Sequence, residues 1–537
     1  NATASIKNVA IGRTVMYNTT SGSLNTASGY GALYYNTTGC ENTASGFYAL
    51  RGNTTAKYNT GFGACTLYAN TTGERNTAVG FKALAATTCG NWNTAVGFTA
   101  LLSNTTGYFN TGIGYKTLAT NTTGIRNTGS GFYVLRLNET GSNNTAFGGR
   151  VLENNTTAHA NTGSGYNALR YNTTGCANTA SGYMSQCCTT TGQNNTSHGF
   201  KSLSLTTTGN NNTAAGAWSL RSNTIGCRNI AVGQSAMEKN TTGCWNTGLG
   251  TRSLYCNTTG CFNVAVGACS LHTSVTASLN VALGYKTLSD NTTGCMNTAI
   301  GHAALENNTS APNNTAVGAN ALYSNDDAGG KENVAVGHYS LYLNDGGCRN
   351  VAVGPSSLYS NTTGVRNQAF GGWSLRRNTS GTNNTASGYY SLNCNTSGNN
   401  NVGYGHYTIR ANSTGHNNTA VGAWALCKNT AGCNVAVGYN ALGVNTSGGC
   451  NTALGYAAGA ANTTASYNTA VGFCSLFANT TGHSNNAFGY LALNKNTCGN
   501  HNTGIGFMAM CDTTSGSYNV SVGNCTLTDQ STGASNT

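Results

Sequence analysis

Charge is what this chain has least of. Of its 537 residues, 25 are Lys or Arg and 13 are Asp or Glu, so charged side chains make up 7%. Soluble proteins usually carry about a quarter. So few carboxylates leave little material for paired acid–base catalysis. No Gly-x-Ser-x-Gly elbow or phosphate loop stands in a strand–turn–helix context either. The chain therefore reads as no enzyme, and no cofactor is expected. The net charge of +12 is spread thinly over recurring places such as Lys82, Lys116, Arg75 and Arg126. A nucleic-acid groove needs a denser basic stripe, so no nucleic-acid partner is expected.

Other absences narrow the class further. Proline occurs twice, at Pro312 and Pro355, which leaves almost every backbone amide free to join a ladder. No apolar run reaches the roughly 18 residues of a membrane-spanning helix, so no membrane span is expected. No Cys-x-x-Cys pair occurs, and the nine His do not cluster with Cys at ligand spacing, so no metal site is expected. Asp326-Asp327 stand in the one enlarged turn and read as solvated loop rather than a calcium site. There is no initiator Met, and the chain ends at Asn536-Thr537, where the next repeat should start. A processed product or a piece of a longer array is the expectation.

What fills the chain is one phrase. Asn-x-Ala-x-Gly, with Gly or Ser in place of Ala in some copies, occurs 31 times from Asn8 to Asn519, and 28 of the 30 intervals are 17 residues. The exceptions are Asn314 to Asn333, at 19, and Asn418 to Asn434, at 16. Such a period means one small unit stacked many times. With the phrase Asn as position 1, the repeat reads Asn-Thr-Ala-x-Gly-x-x-Ala-Leu-x-x-Asn-Thr-Thr-Gly-x-x. Position 9 is apolar in nearly every copy, as in Leu50, Leu67, Leu84 and Leu101, with Gln186 and Gly459 as exceptions.

A helix cannot use this spacing. Seventeen residues is not a whole number of 3.6-residue turns, and Gly, Asn and Thr are poor helix formers. Thr and Val alternating with Ala and Gly at positions 2 to 5 is strand patterning, and Asn-Thr-Thr-Gly is turn chemistry. The fold class is therefore all-β: a parallel β-solenoid of about 31 coils, each with two short strands and a turn, as a single continuous array over residues 1–537. Coils stack in register about 4.8 Å apart, so each Leu lies on the next Leu and each position-1 Asn on the next Asn. Gly at position 5 in every copy marks an unusual φ or a very close backbone approach.

Three columns are candidates for function. Position 12 carries Asn-x-Ser/Thr sequons in about twenty repeats: Asn36, Asn53, Asn70, Asn104, Asn121, Asn138, Asn172, Asn240, Asn257, Asn291, Asn361, Asn378, Asn395, Asn412, Asn445 and Asn479 among them. Both length changes fall at or after position 12, which suggests an exposed turn and candidate N-glycan acceptors. The same triplet also serves simply as a good turn. Aromatics gather at position 6, as in Tyr30, Phe47, Phe81 and Phe98, and tryptophans at positions 7 and 17. Trp218, Trp373 and Trp424 are candidates for carbohydrate or protomer contact, and a stacked ladder that only stabilises the sheet is the plainer reading.

The 21 cysteines recur at fixed offsets. Cys65 with Cys89 and Cys474 with Cys498 share one offset; Cys176 with Cys188 and Cys244 with Cys256 share another, and Cys256 and Cys261 flank one turn. Cross-coil disulfides fit these relations and imply an oxidising, extracellular setting.

The phrases Asn-Thr-Ala-Val-Gly-Phe/Tyr-x-Ala-Leu and Asn-Thr-Thr-Gly resemble the head repeats of trimeric autotransporter adhesins. They also resemble the 17-residue repeats of phage tail-fibre-like and bacterial surface proteins. The resemblance runs from Asn8 to Gly523 and implies a left-handed parallel β-roll, often trimeric, that displays or reaches a surface. Dense sequons and many cysteines depart from that pattern.

The expected function is an extracellular structural fibre or stalk, at a cell or virion surface, glycan-coated and disulfide-stapled, self-associating end to end or as a trimer. The alternative is an adhesin that grips carbohydrate through the aromatic column. Ice binding ranks third, because position 4 is mostly Val, Ser, Phe or Ile rather than Thr.

Overall fold

The computed structural model describes residues 7–326, 328–528 and 531–537; Asp327 of the enlarged turn lies outside them. Among these residues are 31 strands and no helix. Each strand is three residues long and occupies positions 2 to 4, from β1 (Val9–Ile11) to β31 (Val520–Val522). Two compact units divide them, Asn1–Phe262 and Asn263–Thr537. The first holds β1 to β15 (Thr247–Leu249), the second β16 (Val264–Val266) to β31. The coil is the same in both.

Within each unit, neighbouring strands pair in parallel and in register. Thr77, Ala78 and Val79 face Thr94, Ala95 and Val96, and Val351, Ala352 and Val353 face Gln368, Ala369 and Phe370. The middle residue of the strand points inward, so Ala78 is buried while Thr77 and Val79 lie on the outer face. Leu84 at position 9 closes the other side of the core, fully buried. The interior is thus narrow: small residues at positions 3 and 8, such as Ala78 and Ala83, and one Leu per coil, flanked by two Asn side chains.

The second strand expected in each coil is not formed. Positions 6 to 11 run as turns, because alternate residues there have left-handed φ: Lys82 at 54° and Leu84 at 52°. Position 17 does the same, with φ of 57° at Arg75 and 58° at Trp92. Such φ costs non-glycine residues about 1–3 kcal/mol each. Hydrogen bonds to both neighbouring coils offset it: Lys82 N–H donates back to Ala64 O at 3.0 Å, and Leu84 N–H forward to Ala100 O at 3.1 Å. Tight bends, not a second sheet, let 17 residues close a coil.

Two asparagine ladders run along the coils. At position 1, each backbone N–H donates to the preceding Asn side chain, as Asn110 N–H does to Asn93 Oδ1 at 3.0 Å. Its Nδ2 donates to the position-15 carbonyl of its own coil, Gly124 O, at 2.8 Å. At position 12, Asn121 Nδ2 donates to Asn104 Oδ1 at 2.8 Å and to the same Gly124 carbonyl at 3.1 Å. These bonds satisfy amides that would be costly if buried alone.

Both ladders survive the length changes. Across the 19-residue repeat, Asn333 N–H still reaches Asn314 Oδ1 at 3.0 Å, and Asn344 Nδ2 reaches Asn325 Oδ1 at 2.8 Å. Across the 16-residue repeat, Asn445 Nδ2 reaches Asn429 Oδ1 at 2.8 Å. The turn absorbs the difference: Asn325 bonds to Gly330 O, five residues on, and Asn429 to Ala431 O, two residues on.

Gln186, the polar exception at position 9, is satisfied by a change of partner. Its Nε2 donates to Thr179 O at 2.9 Å and to Ser197 Oγ at 2.9 Å, and Ser197 stands where nearly all other coils have Ala or Gly.

Candidate functional site

The position-12 column is not the exposed column that the sequons suggest. All sixteen asparagines from Asn36 to Asn479 named above are fully buried. Their Nδ2 atoms, the atoms a glycan would need, are committed to the ladder; Asn53 Nδ2, for example, donates to Asn36 Oδ1 at 2.8 Å. The length changes were correctly placed after position 12, but tolerance begins one residue later. Position 14 is the exposed residue of the turn, as at Thr38, Thr72 and Thr106. Asn favours both a turn and an inward amide ladder, and a single repeat cannot distinguish them.

No disulfide is present in this structure, so Cys65 and Cys89, Cys474 and Cys498, Cys176 and Cys188, Cys244 and Cys256, and Cys256 and Cys261 are not joined. In-register stacking places each residue over its own position in the next coil, not over a different position. Position-16 sulfurs therefore contact the coil before them: Cys227 N–H donates to Cys244 Sγ at 3.1 Å, and Cys244 N–H to Cys261 Sγ at 3.2 Å.

One adjacent pair is chemically distinct. A hydrogen bond from the Cys187 thiol holds the Cys188 thiolate, bringing Cys188 down to about 7 against the opposing effect of partial burial. The same bond, with burial, pushes Cys187 up. Thiolates are the reactive form. Alkylation of Cys188, followed by peptide mapping, is expected to rise with a midpoint near pH 7, and Cys187→Ala should move that midpoint upward. An unchanged midpoint in the variant would show that the bond does not set the thiolate.

The position-6 aromatics form axial stacks with half-exposed rings. Phe81, Phe98 and Tyr115 follow one another at centroid spacings of 5.4 Å, and Tyr456, Phe473, Tyr490 and Phe507 at 5.1 to 5.3 Å. This is the ladder geometry of the plainer reading.

The tryptophans differ in how much of each ring is covered. Trp92 and Trp245, at position 17, lie under Arg75 and Arg228 at 4.5 and 4.3 Å and stack on Phe109 and Phe262. Trp373 meets Tyr390 edge-on at 4.8 Å, Tyr389 at 6.2 Å and Arg376 at 5.3 Å. Among the described residues Trp218 has a single ring neighbour, Phe200, edge-on at 5.9 Å. Trp424 is covered from the preceding coil, by Tyr407 at 4.6 Å and His406 at 6.1 Å.

The following coil explains these differences. Position 7 after Trp373 is Tyr390, but after Trp218 it is Ser235 and after Trp424 it is Asn440. The short side chains leave notches of about 500 Å³ beside Trp218 and about 350 Å³ beside Trp424, both in the groove between positions 7 and 10. A third, of about 350 Å³, lies between Tyr48 and Lys82 over Cys65. Sequence reasoning named the tryptophans and missed Ser235 and Asn440. The signal was a small residue 17 or 16 places after a Trp.

Charge in the same groove is partly paired. Glu153, nearly buried, bridges Arg136 at 3.2 Å and Arg170 at 3.0 Å across three coils. Arg221 meets Glu238 at 3.4 Å. Among the described residues no group of three or more His, Cys, Asp or Glu is placed to hold a metal ion. No helix among them is long and apolar enough to cross a membrane. Comparison with protein-family models, curated proteins and solved structures found no match.

Proposed function

We propose that this chain is an extracellular structural fibre protein whose stacked coils self-associate, end to end or as a trimer. One observation carries the reading: the two Asn ladders hold register through an insertion of two residues and a deletion of one. Axial stacking is what the sequence preserves while the turns vary. Exposed apolar residues on the outer strand face, such as Phe62, Ile113, Phe370 and Tyr404, supply a surface for lateral association. The resemblance to autotransporter heads and tail-fibre-like repeats favours the same reading. A glycan coat forms no part of it, because the acceptor amides are buried.

Electron microscopy of the native particle, with X-ray diffraction from aligned material, tests the proposal. Extended particles with a meridional reflection near 4.8 Å are expected, since parallel coils repeat at that spacing. Isolated compact particles at all concentrations would overturn it. A second reading, a surface adhesin working through the aromatic column, is favoured specifically by the open faces of Trp218 and Trp424.

A further inference from the structure

The notches beside Trp218 and Trp424 share more than a ring. The Trp218 notch is lined by buried Ser235, Trp218, Arg252, Lys201 and Tyr255. Glu238 also lines it, but it is engaged by Arg221. Lys201 and Arg252 have no carboxylate partner among the described residues; each instead lies near an aromatic ring, Phe200 at 5.2 Å and Tyr255 at 6.0 Å. The Trp424 notch is built the same way in the second unit. Asn440 and Gly443 open it, Trp424 walls it, and Arg410 and Lys428 line it with no acidic residue among the lining groups. Arg410 and Lys428 also lack a carboxylate partner among the described residues.

We propose that these two notches bind uronate-type acidic sugar units of a polysaccharide. A flat indole with one uncovered side suits the apolar face of a sugar ring, and the polar rim of hydroxyl and amide groups suits its hydroxyls. Two cations per notch, with no carboxylate partner among the described residues, suit one carboxylate; a guanidinium can hold it through two parallel hydrogen bonds. The volumes lie in the range of small-molecule sites, which is roughly 300–1,000 Å³. A nucleic acid fits less well, because its backbone presents a charge at every nucleotide and wants a continuous basic track. Here the cations are spread thinly over the coils and interrupted by Glu153 and Glu238. Trp373 is excluded, because Tyr390 fills the space that would be its notch.

This inference goes beyond the fibre reading and does not depend on assembly, since binding is measurable on single chains. The full chain is titrated with an oligogalacturonate, with a neutral cello-oligosaccharide of the same length, and with a single-stranded oligonucleotide. Saturable binding of the oligogalacturonate alone is expected, weakening with salt. Filling both notches with Ser235→Tyr and Asn440→Tyr should reduce affinity at least about tenfold. The fold should persist, because Tyr already occupies position 7 at Tyr48, Tyr133 and Tyr390. Trp373→Ala should leave affinity unchanged. Lys201→Gln with Arg252→Gln, combined with Arg410→Gln and Lys428→Gln, should remove both the binding and its salt dependence. No binding by the parent chain, equal binding of the neutral sugar, tighter binding of the oligonucleotide, or full affinity in the filled variant with an unchanged melting curve would each overturn it.

Discussion

Gly165→Ala is expected to open the solenoid around its own coil and to cost about 3–5 kcal/mol of local stability. Gly165 has φ +121°, a region that side chains rarely enter, and a Cβ there would lie 2.7 Å from Gly182 O and 2.8 Å from Gly182 C in the next coil. Both obstacles are backbone, so no rotamer change relieves them. The strain alone is worth about 1–3 kcal/mol, and the clash must push apart coils joined by several backbone hydrogen bonds each. Coils interact mainly with their neighbours, so the damage should be graded rather than global. Hydrogen exchange should accelerate in the coils flanking position 165 and fade with distance from it. Gly112→Ala is the control. Position 3 has no positive φ there, a Cβ would lie 3.3 Å from the Leu101 side chain, and alanine stands at that position in Ala78 and Ala95. Its cost should stay near or below about 1 kcal/mol. Equal effects from the two substitutions would show that position 5 is not special.

Asn110→Ala should cost about 2–4 kcal/mol, read as a lower melting temperature and as loss of protection at the Asn127 amide. Asn110 Oδ1 accepts the Asn127 N–H at 3.0 Å and Asn127 Nδ2 at 3.2 Å, and Asn110 itself is fully buried. Alanine leaves that N–H without an acceptor and without water. Asn110→Asp separates the two halves of the amide. Its acceptor oxygen survives, but the other oxygen replaces an N–H that donates to Gly124 O at 2.8 Å. A buried carboxylate against a carbonyl has its folded pKa raised above the unfolded value of about 3.9. The sign follows: the variant is at its most stable below that unfolded value, and loses stability as pH rises through the folded pKa. Melting temperature measured against pH should therefore fall from acid toward neutral in Asn110→Asp and stay flatter in Asn110→Ala. A pH-independent difference between the two would remove the electrostatic account.

The two substitutions address the parts of the chain that were legible before any coordinates. Period 17 fixes parallel in-register stacking, because only a coil of constant length returns the same residue to the same place. Gly in every position-5 slot announced a backbone that tolerates no Cβ, and φ near +130° with a carbonyl beneath it is the reason. Asn at position 1 was legible as a ladder because Asn stacked on Asn has few other ways to satisfy a buried amide.

Direction within the coil was not legible. Position-12 Asn followed by Thr-Thr-Gly has the composition of an exposed turn, yet its amide points inward, since the same carbonyl that ends the turn accepts Nδ2 from both Asn columns. Leu84 and Lys82 gave no sign of left-handed φ, because neither residue type prefers it; the bonds to adjacent coils impose it. Cysteine offsets pointed to pairing across different positions, but stacking brings like positions together. The notches also needed the fold, because a vacancy beside Trp218 arises from Ser235, one whole coil away in sequence and one strand spacing away in space.

Sequence alone thus determined the repeat unit, the parallel stack, the glycine column and the first Asn ladder, since each follows from what a strict period does to identical residues. The tertiary structure decided which side chains face in, how the coil closes without a second strand, and which tryptophans keep an uncovered face. Those depend on the local path of 17 residues and on the neighbour one coil away, and neither is written in the period.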